Sequence, residues 1–535
     1  MRANLNCRLM KWRCRLSPSL QDRTSRAPLP ENRPNLHKFS ARRRHFSTAP
    51  ELIAFQPPES SLDIPDLGKC VYCCSTFGGS TSIQLSSRPL RYIFVGLTAL
   101  AATSVAIAPE RAVAAGFTLK EQSSTAQSTA FAGAAAGGKD ISYMFFNPAA
   151  MALHPGTNFH ASVSYIIPTS ETKNAAGATA AGAPITGSSR SGDIGVDVLL
   201  PAVYSSYQVT DEIFLGLAVN SPFGLATENQ DDWVGRYHGT DSELMTIDFN
   251  PTAAYKPFDW LNLGAGLQVV YASATLENAV DTSTIAGAPY SAANDSQSKV
   301  EGDDWGYGFT VGAIVEPMPG TRIGVAYRSE VDVTLDGDAK FKRSPLGDLV
   351  NAGTMTPGGA GLLGNSDVTV DLTMPDSINF GIHHDINEQW SVMADGSWTG
   401  WSDFKNLTIK FKNPDQPTNT TVQNWNDTWF AALGTRFRPS KEWLLSLGVA
   451  YDESPVPTST RTPRIPDADR YWISAGAGWK PIDWLAVNLS YTHIFMPDSK
   501  VRLTVADPNN LARGNLSANY ESHIDILSFS TTISF

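Results

Sequence analysis

The chain has 535 residues, with 42 Gly, 34 Pro, 13 Trp, 16 Tyr and 24 Phe, only 17% charged residues and a formal net charge of −11. Soluble proteins carry about 25% charged residues, so this surface is short of charge, and its acidity argues against a nucleic acid as partner. All five cysteines (Cys7, Cys14, Cys70, Cys73, Cys74) precede residue 114, which leaves the main body without the thiols of a disulfide scaffold, a thiol enzyme or a zinc ribbon.

The first 114 residues differ in character from the rest. They hold 16 Lys+Arg against 7 Asp+Glu, leaving 25 and 45 of the chain's 41 and 52 for the remainder. Residues 1–87 are rich in Arg, Pro and Ser, carry the run Arg42–Arg44 and show no sustained period. A disordered extension is expected there, from a start codon placed too far upstream or from a transit peptide. Cys70, Cys73 and Cys74 lack a His or a second Cys pair at ligand spacing, so no metal is expected. Residues 88–114 read as a secretory signal peptide. Arg88 and Arg91 precede an apolar run from Tyr92 to Ala108, and Ala112-Val113-Ala114 offers small residues for cleavage before Ala115. The rival reading, a membrane anchor, needs about 20 apolar residues, and this run stops earlier at Pro109-Glu110.

Residues 115–157 do not alternate; they are small and helix-tolerant, with a break at Asn147-Pro148. From Thr157 onward, apolar residues alternate with small or polar ones, as in Leu445, Leu447 and Val449 against Ser446, Gly448 and Ala450. Period two with one apolar face means β-strands. A turn flanked by aromatics recurs six times, as YKPFDWLNLG from Tyr255, FRPSKEWLLSLG from Phe437 and WKPIDWLAVN from Trp479, with looser versions at Tyr207, Val315 and His384. Between these turns lie long polar stretches such as Asn278–Asp304, Lys340–Asp367 and Asp452–Asp469. Short turns on one side, long loops on the other and aromatics near strand ends predict an all-β fold: a 14-stranded antiparallel transmembrane β-barrel over residues 158–535. The alternative is a soluble β-sandwich or propeller with its apolar faces inward. A lumen-like opposite face of Gly, Ala, Ser, Asn and Gln favours the membrane. The final strand, with Leu527, Phe529, Ile533 and Phe535 in one register, resembles the signal read by barrel-assembly machinery. A barrel this wide needs filling, so residues 115–157 are expected to fold inside it as an N-terminal plug, or hatch.

The mature chain resembles the FadL family of outer-membrane long-chain fatty acid transporters. The resemblance rests on AGF at Ala115, EQSS at Glu121, AFAG at Ala130, NPAAM at Asn147, GLATE at Gly224, WGYG at Trp305, YRSEV at Tyr327, SWTGWSDF at Ser397, DESPVP at Asp452 and IPDADRYW at Ile465. Their order and spacing together are specific, and nothing before Ala115 takes part.

The resemblance implies passive uptake of a long-chain fatty acid, or of another hydrophobic small molecule, with lateral release into the membrane. It implies a groove among the long loops, with Asn278–Asp304 as a candidate, and an apolar pocket beneath. Ala115, Gly116, Phe117, Asn147, Pro148 and Ala149 fall in the hatch, with Phe117 against the pocket. Ser221, Pro222, Phe223 and Gly224 fall where the family kinks its third strand. A proline cannot donate within a ladder, so the kink is expected to leave a lateral gate in the wall, unless Ser221 simply begins a loop. The positions matching the family's head-group residues are Ser273 and Thr408, with Lys405 or Lys410 as substitutes. Since the first two carry no charge, a neutral hydrocarbon or aromatic cargo stays open. A monomer is expected, integral to the outer membrane of a Gram-negative bacterium, touching its lipid and lipopolysaccharide. No cofactor is implied. A hydrolase is the distant alternative: His383, His384, His493 and His523 are present without a recognisable nucleophile motif.

Overall fold

The computed structural model describes residues 116–355 and 360–535. The expected extension, signal peptide, cysteine trio and Ala115 lie outside the described residues. Fourteen antiparallel strands follow one another around a closed barrel, several built from two consecutive pieces. They are β1 (Thr157–Ala178), β2 (Val198–Gln208), β3 (Ile213–Asn220 and Gly224–Glu228), β4 (Asp241–Phe258), β5 (Leu261–Val280), β6 (Ser296–Met318) and β7 (Thr321–Arg328 and Val331–Lys342). Then come β8 (Ser366–Met374 and Ser377–Asp385), β9 (Trp390–Thr399 and Asn406–Phe411), β10 (Asn419–Val422 and Thr428–Phe437), β11 (Trp443–Asp452), β12 (Arg470–Ile482), β13 (Leu485–Phe495 and Ser499–Leu503) and β14 (Asn515–Ser534).

The barrel closes where its first and last strands meet. β1 pairs with β14 from Asn158↔Ser534 to Ala178↔Asn515. Thr157 N–H donates to the Phe535 carbonyl at 3.0 Å, and Phe535 N–H returns the bond to Thr157 at 2.9 Å. Closure leaves no edge strand, which hydrocarbon demands because it offers no substitute hydrogen-bond partner. All six aromatic-flanked turns fall at the end where β1 begins and β14 finishes. There Trp390 stacks on Phe437 (4.6 Å), Phe258 on Trp260 (5.5 Å) and Trp443 on Trp479 (6.1 Å), forming the amphipathic ring row of a membrane interface.

Toward the other end the wall changes polarity. In the lower part of β7, Ile323, Val325 and Tyr327 face outward; above Arg328 the phase flips, so that Val331, Val333 and Leu335 are buried and Asp332, Thr334 and Asp336 face out. β8 does the same, with Ile378, Phe380 and Ile382 outward below, and Val368, Val370 and Leu372 inward above. The lower wall is therefore greasy outside and the upper wall greasy inside. The expected loop Asn278–Asp304 is in part sheet: β5 runs to Val280 and β6 starts at Ser296, leaving residues 281–295 as connection.

Residues 116–156 bond to inward positions on many strands, which places them inside the barrel. Ser124 Oγ meets Ser490 Oγ of β13 at 3.1 Å, Ala135 N–H donates to Asp395 of β9 at 2.9 Å, and Arg436 of β10 donates to the Thr125 carbonyl at 3.3 Å. Contact is close because the facing wall carries glycines: a Cβ on Gly448 would stand 2.1 Å from the Thr129 carbonyl carbon, and one on Gly324 1.9 Å from the Ala135 oxygen. Asn147 caps the short helix Pro148–Leu153 through Ala149 N–H (3.0 Å). Its amide also donates to the carbonyls of Ala135 (2.7 Å), Ala313 (3.2 Å) and Val325 (3.3 Å), tying segment to wall. Asn147→Ala strands those acceptors and should loosen the segment by about 1–3 kcal/mol. The expected reading is faster hydrogen exchange over residues 130–153 with protection of the strands unchanged.

Candidate functional site

Inside the upper, inward-greasy zone lies an apolar cavity of about 800 Å³, walled by Leu244, Val300, Leu335, Val370, Leu372 and Ile465. One boundary is an aromatic cluster around Phe117, whose ring lies 4.6 Å from Trp401, 5.6 Å from Phe404 and Trp425, and 6.1 Å from Phe223. The wall can supply those rings because a single turn, Trp401–Asp403, interrupts β9 and folds Trp401 and Phe404 inward. Gly116 is required beside them: its φ is +58°, and a Cβ there would stand 2.7 Å from Trp401 and 2.8 Å from Trp425. Its N–H donates to Asp467 at 3.2 Å, and the other oxygen of that carboxylate accepts from Arg470 at 2.6 Å.

A second cavity of about 850 Å³, more polar than the first but of mixed lining, adjoins it and shares Leu276, Val300, Leu407, Gln423, Thr462 and Arg464 with it. Arg464 donates to the main-chain carbonyls of Asp241 (2.6 Å) and Glu277 (2.8 Å) and to Ser242 Oγ (2.7 Å). Burial, with a smaller contribution from the nearby Arg513, lowers its pKa to about 9. Arg513 reaches Thr421 Oγ1 and Asn419 Oδ1, each at 3.2 Å. Two guanidinium groups thus stand on the polar side of an apolar chamber.

The residues expected to contact a head group lie elsewhere. Lys410 pairs with Asp371 on the outer face at 2.6 Å, and Lys405 is exposed. Thr408 contacts Thr420 (3.3 Å) and alternates with the cavity-lining Leu407 and Ile409, so it points the other way. Ser273 alternates with the inward Ala272 and Ala274. Lys410, Thr408 and Ser273 occupy outward positions of the inverted zone and Lys405 an exposed loop, whereas Arg464, immediately before the IPDADRYW stretch, borders both cavities. Among the histidines, His493 pairs with Asp525 at 2.7 Å, with Tyr491 as the neighbouring hydroxyl.

The wall is interrupted beside Phe117. The β2–β3 ladder runs from Gln208↔Phe214 to Val203↔Val219 and stops, while Val198–Ala202 go on pairing with β1 alone. On its other side β3 keeps pairing with β4, but Ser221-Pro222-Phe223 stand opposite only Thr246 and Ile247, a bulge of one residue. The N-terminal segment takes up the freed backbone. Leu119 N–H donates to the Pro222 carbonyl and Gly224 N–H to the Phe117 carbonyl, both at 2.8 Å. Gln122 donates to the Ser221 carbonyl at 2.6 Å and accepts from its N–H at 3.2 Å. Of the expected hatch residues, Gly116 and Phe117 sit at this opening, while Asn147, Pro148 and Ala149 anchor the segment farther along.

Between Lys120 and Gln122, Glu121 is buried, and burial raises its pKa from 4.5 to about 7. One carboxylate oxygen has no hydrogen-bond partner among the described residues. A raised folded-state pKa means that docking of the segment is strongest below pH 4.5 and weakens as pH rises through about 7, by at most about 3 kcal/mol. Glu121→Gln should flatten that dependence and slow exchange of residues 117–128 at pH 8, measured by hydrogen exchange from pH 5 to 8.

A closed barrel with an apolar chamber and an interrupted wall defines an outer-membrane transporter of hydrophobic compounds rather than an enzyme. The family described as "Outer membrane protein transport protein (OMPP1/FadL/TodX)" matches residues 105–535, and the chain belongs to it. It is 30% identical over 419 residues to a long-chain fatty acid transport protein of Escherichia coli O6:H1, covering 75% of this chain and 91% of that one. It is 28% identical to outer membrane protein P1 of Haemophilus influenzae, covering 82% and 98%. The crystal structure of a Pseudomonas aeruginosa FadL homologue superposes with a TM-score of 0.72 at 26% identity, covering 78% of this chain and 99% of that one. The toluene transporter TodX of Pseudomonas putida shares the fold at 17% identity, with a TM-score of 0.55 and 77% and 97% covered.

Proposed function

We propose that this protein takes up long-chain fatty acids by passive diffusion and releases them sideways into the outer membrane. The observation that carries this reading is the position of Arg464, shared between a polar and an apolar cavity. Such a junction suits one molecule with an anionic head and a long tail. Each buried methylene contributes about 0.8 kcal/mol, so the tail supplies affinity, while the guanidinium offers charge-assisted hydrogen bonds to the carboxylate.

Release follows from the shared backbone at the opening. Phe117 bounds the chamber by its ring and closes the wall by its carbonyl, so any displacement of residues 116–119 opens floor and wall together. The cargo then leaves between β2 and β3, past Ser221–Gly224, never meeting water. Residues 115–157 act as the hatch in this scheme, and the barrel works as a monomer among lipid and lipopolysaccharide. One observation favours a second reading, uptake of neutral hydrocarbons or aromatic compounds: the rings of Phe117, Trp401, Phe404 and Trp425 suit a flat apolar guest.

Binding separates the two. Arg464→Met should weaken oleate binding roughly tenfold and leave toluene binding as it was; toluene bound in preference to oleate by the unaltered protein would overturn the fatty-acid reading. Pro222→Thr combined with Gly224→Val, which lets β3 continue, should stop uptake in cells while oleate still binds the purified protein. Undiminished uptake would sink the lateral route.

A further inference from the structure

A third cavity, of about 500 Å³, lies on the inner side of the opening. Leu119, Phe145, Phe146, Pro222 and Phe223 supply its apolar side, Ser377, Asn379 and Thr399 its polar one, and Lys120 and Arg328 bring two cations to its edge. They are not equivalent. Arg328 is neutralised by Asp248 at 3.4 Å, donates to the Phe145 carbonyl at 3.0 Å and lies 4.7 Å from the Phe145 ring. Lys120 has no ion-pair partner among the described residues: its Nζ donates to Ser397 Oγ at 3.2 Å and stands 4.4 Å from the centre of the Phe430 ring.

An ammonium carries three donors, and one is used, so two remain. The ammonium is half-buried, with the carboxylates of Glu121, Asp395 and Asp452 in its electrostatic surroundings but none paired to it directly, and its spare donors suit the head of an anion that arrives with its own apolar body. Lys120 also lies one residue from Leu119, whose N–H closes the opening onto Pro222. An anion drawn to Lys120 therefore pulls on the strand that must move.

We propose that Lys120 is a second head-group contact, placed at the exit, which receives the carboxylate of an amphiphile from the Arg464 end and couples its arrival to displacement of residues 117–122. The ligand class is a monoanionic amphiphile of fatty-acid type, so the proposal rests on the fatty-acid reading above. Arg328, already neutralised, serves as the polar border of the cavity.

The test compares a charged and a neutral cargo of equal length in cells expressing the full chain. Lys120→Met should lower uptake of labelled oleate roughly tenfold, the loss of one charge-assisted bond, while uptake of 1-octadecene stays the same. Oleate affinity of the purified variant at the Arg464 cavity should also stay the same, and Lys120→Arg should keep most of the uptake. Lys120→Gln is the second neutral variant, and the mobility of boiled against unboiled protein on a gel reports whether each barrel has assembled. Uptake of both cargoes falling together, or oleate uptake unaffected in an assembled barrel, overturns the exit contact. If the unaltered protein imports octadecene but not oleate, the fatty-acid reading fails first and takes the exit contact with it.

Discussion

Everything in this molecule depends on the requirement that no backbone N–H or carbonyl stand unpaired against hydrocarbon. Most of the barrel's junctions meet it by ladders that resume across local bulges and turns, and one stops short. Between β2 and β3 the pairing stops at Val203↔Val219, and the deficit on β3 is made good from within, by Phe117, Leu119 and Gln122. The N-terminal segment thus completes the hydrogen bonding of the wall at this point, and the same few residues bound the apolar chamber.

The inversion of wall polarity explains where the chamber sits. A barrel bathed in lipid must spend its apolar residues outward, which leaves the lower lumen with Ser, Gly and Thr. Only where the strands rise beyond the lipid can Val331, Val333, Leu335, Val368, Val370 and Leu372 turn inward without emptying the outer face of apolar contact. The hydrophobic chamber is accordingly confined to the upper zone, and residues 116–156 bond to the polar inward positions below it.

Strand number, turn positions and the kink were legible in the sequence because each has a local signature: period two, a turn between aromatics, and a proline in a strand. The extent of β5 and β6 was not. Near Glu277, Asn278 and Lys299 the outward face turns charged, and alternation no longer looks like a membrane strand. The same inversion hides which side chains face the chamber: Lys410 is turned outward by phase, and Lys405 lies exposed in a loop. Arg464 sits in an irregular loop whose path no periodicity predicts; its one signal was adjacency to a motif stretch. Gln122 was within a quoted motif, but its role needed the partner Ser221, 99 residues away.

The bond pair between Thr157 and Phe535 has a bearing on biogenesis. The seam joins the first strand to the last, so the contact that completes the cylinder has nearly the largest sequence separation the body allows, and such contacts form slowly. A chain emerging from its N-terminal side must keep β1 waiting with an unsatisfied edge until β14 arrives. A product lacking β14 would stay an open sheet, recognisable for proteolysis by its edge alone.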